Sequence, residues 1–275
     1  MSAHANPSPR TAPALRAVIR AIGLIGLGGI AIAVGLADVI ARAPLDAIGV
    51  GPSLAPPSQA FPFGTDLLGR DMFSETLHAL AITLGDAIVG ALVAVALGGV
   101  FGFVAARLPW RIGDGLRVVA GILAAVPALL LAILFVGLTA RGFAPVAAGL
   151  AAAPFAFARA FDRARLLGAS HYAQYARASG IRSATLLRRD LAYEVRDNFL
   201  STATRALAAV AITLATLSFF GFGAVPPARD LGLLIASARA GFLDAWWTAA
   251  CPAFTLMLLI LCARLAAGLD EGERP

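Results

Sequence analysis

Apolar residues run along this chain in long blocks separated by short polar stretches. A block of about 20 such residues is the length at which a helix crosses a bilayer. Blocks of this kind lie at Ala21 to Ile40, Thr83 to Ala105, Val118 to Leu138, Ala144 to Ala158, Ala203 to Phe222 and Ala245 to Leu265. They predict an all-α, polytopic membrane protein of about six transmembrane helices. The fourth block is short and carries Pro154, so it is expected to tilt, kink or borrow its flanks, with five spans as the alternative count. Pro127 and Pro252 also fall inside blocks, where proline breaks the backbone ladder and marks a kink held by neighbouring helices. The first block ends in "ARA" at Ala41 to Ala43, which imitates a signal-peptidase site. Its core exceeds the roughly 7 to 15 residues of a cleaved signal, so a retained span is expected.

Composition agrees with this pattern. The chain is 59% hydrophobic and 14% charged with a mean hydropathy of +0.83, where a soluble domain carries about 25% charged residues. The net charge of +6 comes entirely from arginine, since the sequence has no lysine. Without lysine there is neither a P-loop nor a Schiff-base amine, which removes two classes of chemistry. With the N-terminus inside, Arg10, Arg16, Arg20, Arg107, Arg111, Arg117, Arg159, Arg163, Arg165, Arg177, Arg182, Arg188, Arg189, Arg196 and Arg274 fall on the inner side. Only Arg42, Arg70, Arg141, Arg229 and Arg239 fall outside. That bias satisfies the positive-inside rule, so the basic charge calls for no nucleic-acid partner. Cys251 and Cys262 are 11 positions apart on one helix, about 16 Å at 1.5 Å per residue, and are read as small hydrophobes rather than a disulfide. His4, His78 and His171 are too scattered for a metal site.

The division expected is a tail, first span and external loop over 1–80, a membrane core over 81–270 containing a cytoplasmic loop at 159–199, and a tail over 271–275. In the external loop, Thr65 or Asp66 is expected to cap a short helix carrying Asp71 and Glu75 on one face. In the cytoplasmic loop, His171 to Ser179 favours a helix whose alanines leave the backbone thinly covered while Tyr172, Tyr175 and Arg177 project. Gly180 permits a turn, and Leu186, Leu187 and Leu191 then form an apolar stripe opposite Arg182, Arg188 and Arg189. Two readings of this helix, turn, helix stand on pattern alone: an interfacial pair meeting anionic headgroups, or a docking surface for a partner protein.

The segments "QYARASG" and "LLRRDLAY" resemble the EAA loop of binding-protein-dependent ABC importer permeases. Gln174, Tyr175 and Ala176 stand at the Glu-Ala-Ala places and Gly180 at the glycine, while Ala192 and Tyr193 replace the usual Leu-Pro. "FGTDLLGRDMFSE" resembles the signature that opens the permease core of the peptide/nickel importer family. "VPALLLAILFVGL", "LSFFGFGAVPPARDLGLLI" and "DAWWTAACPAFTLMLLILCARLAAGL" resemble its later spans, in the right order, and Leu231 and Leu233 stand near places where Trp and Asn are frequent. One leading span and a moderate external loop are similar to the second, C-type, permease subunit.

The resemblance implies a type I ABC importer permease fold in a bacterial inner membrane, with the N-terminus cytoplasmic. It further implies a second homologous permease subunit, two ATPase subunits or domains, and an external solute-binding protein as partners, alongside membrane lipids. The chain itself would be non-catalytic and bind no cofactor, with ATP and Mg on the ATPase partners. Its ATPase-coupling residues would be Tyr172, Gln174, Tyr175, Ala176, Arg177 and Gly180. The substrate would be peptides or related small solutes, with nickel or a metal chelate as the alternative within the family. An ion-coupled secondary transporter relying on Asp86 or Arg205 is the alternative of another class. Candidate pathway residues are Asp86, Thr213, Thr216 and Ser218. Asp86 would cost about 2.5–3.5 kcal/mol in a span and could equally bond to neighbouring Thr83; the three hydroxyls could equally bond back to carbonyls. Gly98 and Gly102 form a small-xxx-small pair, open to a contact within the chain or with the second permease.

Overall fold

The computed structural model describes residues 11–44, 47–139, 141–169, 175, 178–179, 183–224 and 228–268. Those residues form helices joined by loops, with a single isolated β-bridge between Thr65 and Asp71. The helices are α1 (Thr11–Gly35), α2 (Ala37–Ile40), α3 (Met72–Ala105), α4 (Trp110–Ala125), α5 (Ala128–Leu138), α6 (Ala144–Ala169), α7 (Ser183–Phe219), α8 (Leu231–Ser237) and α9 (Trp247–Ala267). Five are long and apolar enough to cross a membrane, and α4 with α5 makes a sixth span broken by 91°.

The break falls at Val126 and Pro127. Proline lacks the N–H that would continue α4, and its ring disfavours a helical residue before it; Val126 is accordingly extended, with ψ at 130°. Pro154 sits buried inside α6 without ending it. The short fourth block is thus extended by its flanks to 26 residues. At 1.5 Å per residue α6 is about 39 Å long, more than the ~30 Å apolar core of a bilayer.

Three boundaries differ from the apolar blocks. α3 starts at Met72, so much of the loop expected before Thr83 is already helix. No separate short helix begins at Thr65 or Asp66: the cap is Asp71, whose carboxylate accepts from the Phe73 and Ser74 N–H groups, and the helix it opens is the span itself. The second arm of the cytoplasmic hairpin is likewise part of a span, since α7 runs unbroken for 37 residues from Ser183.

The interior is rich in alanine and glycine, with a few buried large residues such as Leu217 and Leu259, and many large side chains face outward. Ala79, Ala87, Ala94, Ala132, Ala151, Ala211 and Ala263 are buried, whereas Ile88, Leu92, Phe101, Ile122, Leu134 and Phe254 are exposed. In lipid this is the expected inversion, because hydrocarbon is as apolar as leucine and helices associate through close backbone packing. α3 and α6 run parallel and meet along one line: a Cβ on Gly90 would strike Pro145 O, on Gly98 it would strike Ala153 O, and on Gly102 it would strike Phe157 O. Gly98 and Gly102 therefore serve a contact within the chain. Four residues overshoot a 3.6-residue turn, and the π turn at Ala94–Gly99 takes that excess back, keeping these glycines in line. α7 packs on α3, α6 and α9, while α1 lies at the edge against α9, where Gly23 meets Ala266 and Gly26 meets Cys262.

Gly98→Leu should abolish the folded, monodisperse protein, because the side chain meets backbone and not a movable tip, beyond the roughly 1–3 kcal/mol of ordinary overpacking. Gly99→Ala, one residue away, meets only Val95 Cγ1 at 3.6 Å and should be neutral or stabilising by up to about 1 kcal/mol. Thermal unfolding of the two variants in detergent checks this contrast.

Candidate functional site

Two ends of the bundle carry its polar chemistry. At one end, residues 49–71 fold over the start of α3. Asp66 Oδ1 accepts from Leu68 N at 2.8 Å and Arg70 N at 2.9 Å, and its Oδ2 accepts from Arg70 Nε at 2.6 Å. Thr65 is fully buried: its hydroxyl accepts from Ala55 N at 2.8 Å and its carbonyl accepts from Trp247 Nε1 at 3.2 Å. Gly64 and Gly69 have φ of +68° and +67°, and each lies so close to Trp247 or Gly51 that a side chain would not fit. Ser74 Oγ donates to Asp71 at 2.6 Å and accepts from Arg42 N at 2.9 Å, tying the end of the first span to α3. The "GTDLLGRD" run is thus a self-bonded plug seated on the last span.

Beside this plug lies a cavity of about 200 Å³ lined by Leu54, Asp66, Arg70, Met72, Glu75 and Leu234, among others. Glu75, 3% exposed, faces Arg229 Nη1 at 3.9 Å, which links α3 to the loop before α8.

The centre of this end is Asp230. Its Oδ1 accepts from Leu233 N at 2.8 Å, capping α8, and its Oδ2 accepts from the Ser218 hydroxyl on α7. Ser218 Oγ accepts in turn from Ala224 N at 3.2 Å. Leu231 N donates to Thr83 Oγ1 at 3.0 Å, and that hydroxyl donates to Ala79 O at 2.8 Å. Gly223 and Gly232 press on Ser218 and Ala215 where no Cβ could sit. Burial pushes the Asp230 carboxyl above the ordinary carboxylate range, and the bonds from Ser218 and Leu233 pull it back. α3, α7 and α8 are joined at this one network.

At the other end, α6 carries its arginines beyond the apolar core. Arg117 of α4 grips Asp162 of α6 through Nε at 2.9 Å and Nη2 at 2.8 Å, and Arg165 reaches Asp114 at 3.0 Å. These crossed pairs sit over a cluster of Phe103, Ala105, Ala106, Phe161 and Ala164. They fix α4 to the stem from which residues 170–182 depart.

Of the predicted coupling residues, Tyr172, Gln174, Ala176, Arg177 and Gly180 lie outside the described residues. Tyr175 is helical and 74% exposed, and its carbonyl accepts from Ser179 N at 2.9 Å. The pathway candidates lie on α3 and α7. Thr213 and Thr216 bond back to Ala209 O at 2.9 Å and Ile212 O at 2.7 Å. Ser218 is buried in the Asp230 network, and Asp86 lies within electrostatic reach of Asp230. Thr83 bonds to Ala79 and Leu231, not to Asp86. Arg205 points to the carbonyl of Gly268 at 3.2 Å, at the C-terminus of α9, where a cation meets the negative end of the helix dipole. Sequence reasoning missed Asp230 and the Arg117–Asp162 and Arg165–Asp114 pairs. Their signals were an Asp just before an apolar run and two lone acids in arginine-rich segments.

Residues 98–269 match the family described as binding-protein-dependent transport system inner membrane component. The chain belongs to this family. A peptide transport system permease protein of Escherichia coli is 29% identical over 92% of this chain and 87% of its own length. A di/tripeptide transport system permease protein of Pseudomonas aeruginosa is 28% identical, covering 81% of this chain and 76% of that protein. A glutathione transport system permease protein of Pectobacterium atrosepticum is 30% identical over 79% of this chain and 72% of its own. The protein is an all-α, multi-pass inner-membrane permease of a binding-protein-dependent ABC importer. In this permease the family match takes in the α3–α6 seam from Gly98 onward, α6 and α7, and Asp230 with Ser218, while Thr83 lies before it.

Asp230→Ala should destabilise the permease by about 1–3 kcal/mol, since it removes a helix cap and leaves the buried Ser218 hydroxyl without its acceptor. Asp230→Asn keeps one oxygen to accept from Leu233 N and turns its NH2 toward Ser218 Oγ, a hydroxyl that can accept as well as donate, so its loss should stay within about 1 kcal/mol. Thermal denaturation of the purified variants measures the difference.

Proposed function

We propose that this chain is the second, C-type, permease subunit of an ATP-driven importer of peptides or related small solutes, with its N-terminus and arginine-rich end in the cytoplasm. Peptides are favoured because relatives sharing most of its length are named for peptide, di/tripeptide and glutathione transport. It pairs with a second permease, receives substrate from an external binding protein, and is driven by two ATPase subunits that hold ATP and Mg. The chain itself carries out no catalysis.

The observation that carries this reading is the pair of helices that outrun the membrane on one side. Counting from the apolar stretch at Leu200–Phe219, α7 extends a further 17 residues, Ser183 to Phe199, about 25 Å. With α6 it flanks the segment 170–182, of which Tyr175 is helical and exposed. Tyr172, Gln174, Tyr175, Ala176, Arg177 and Gly180 form the docking surface for an ATPase domain. A displacement there passes along α6 into α3 through the glycine seam and into α4 through the Arg117–Asp162 pair. Along α7 it reaches Ser218 and hence Asp230. Coupling needs contacts that differ between the two nucleotide states, and the expected short helix between α6 and α7 would make them. The ion-coupled alternative has less support, because Arg205, one of its two charges, caps α9.

A cysteine at Tyr175 should crosslink to the ATPase in the assembled complex. Ala176→Arg and Gly180→Pro should lose ATP-dependent uptake while still inserting in the membrane. Normal uptake by both variants, measured in proteoliposomes, would reject the coupling surface.

A further inference from the structure

One side of α9 is packed and the other is open. Pro252, Leu259, Ala263 and Ala266 are buried, and on the same flank Ala266 and Cys262 meet Gly23 and Gly26 of α1. At about 3.6 residues per turn, the opposite side carries Phe254, Met257, Leu258 and Leu261, all exposed. With no charged or hydroxyl residue among them, these four are the membrane-facing stripe of the last span. Trp246, about two turns before Phe254, continues the stripe past the start of the helix and is exposed.

Just before Trp246 the chain turns, and the apolar surface goes on. Phe242 is exposed and Leu243 is 95% exposed, more than any other large hydrophobic residue among those described. The turn closes on itself: Asp244 N and Ala245 N donate to Gly241 O at 3.2 and 2.9 Å, and the Thr248 N–H and hydroxyl donate to Ala245 O at 3.1 and 2.7 Å. Backbone groups paired in this way leave bulk water at little cost. α9 has 21 residues and is about 32 Å long, close to the ~30 Å apolar core of a bilayer. Trp246 therefore falls at headgroup level, where tryptophan gathers. Arg239 and Asp244, exposed in the same turn, keep it from sinking into hydrocarbon.

We infer that residues 242–246 are a lipid-contacting tip, with Phe242 and Leu243 set among the glycerol and upper acyl groups of one phospholipid leaflet and Trp246 joining them to the α9 stripe. The occupant is the bilayer, because the exposed patch is continuous with the membrane-facing side of α9 and equally apolar. Trp247, the next residue, is buried and turns inward: its Nε1 donates to Thr65 O of the plug at 3.2 Å, and its ring stands at 75° to that of Trp246. Gly241 packs beside Leu67 of the plug. The tip thus sets the depth at which the plug rides on the leaflet. The contact is with glycerol and acyl chains, so it is independent of headgroup charge and of the transported solute.

Spin labelling of the full-length permease in phosphatidylcholine proteoliposomes tests this, with Leu243→Cys labelled in a Cys251→Ala/Cys262→Ala background. The label should be relaxed by oxygen and shielded from a water-soluble nickel chelate, as a group in lipid is, both in the permease alone and after assembly with its partner subunits. Relaxation by both reagents would place the tip in water, and shielding from both in either sample would assign it to a protein contact; each result overturns the inference. A second measurement keeps the native cysteines, in case the labelled variant misfolds. Phosphatidylcholine brominated on the upper acyl carbons should quench tryptophan fluorescence, and Trp246→Phe should lower the quenched fraction, more so than with bromines near the chain ends. An unchanged quenched fraction in Trp246→Phe would equally reject the lipid contact.

Discussion

The contact on which the rest of this permease depends is the backbone-to-backbone approach of α3 and α6. Lipid offers no hydrophobic reward for bringing helices together, so proximity itself must stabilise the bundle. Gly90, Gly98 and Gly102 allow that proximity by offering no side chain at all, and the π turn at Ala94–Gly99 keeps them facing one partner. With this seam closed, α6 and α3 form a single slab, and α7 packs against both. The large aliphatic residues are left for the bilayer, which explains a core made largely of alanine.

The polar networks that join helices lie where the slab ends. At the loop end, Thr83, Ser218 and Asp230 join three helices through hydroxyls and one carboxylate, each with a named partner. At the arginine end, two crossed ion pairs bind α4 to α6. Between them the bundle is almost wholly apolar, as the cost of burying an unsatisfied polar group in hydrocarbon requires. Both ends belong to one mechanical body, and neither needs the other's chemistry to hold its shape.

Much of this architecture was legible in the residues. Apolar length marks a span without reference to its neighbours, so the spans were found in order, although α3, α6 and α7 run well past their apolar blocks into polar flanks, and Pro127 announced the break in the third. Its 91° angle was not legible, because the angle depends on how α5 packs against α6 and α7. Gly98 and Gly102 declared a close contact but not its partner, since a small residue records only that something comes near. The caps were misplaced for a related reason: Thr65, Asp66 and Asp71 are all good capping residues, and only the fold over α3 decides that Asp71 serves. Asp230 went unread because its role arises from Ser218 and Thr83, 12 and 147 residues away in sequence. The segment expected to couple to a partner was marked by its alanine, arginine and glycine pattern, and among its candidate residues Tyr175 is the one the structure describes.

The 37-residue course of α7 has no proline and no glycine to serve as a hinge. Its midsection, at Val210, Ala211 and Leu214, is gripped on several sides. A rigid beam held at its middle acts as a see-saw: tipping the foot one way swings the head the other.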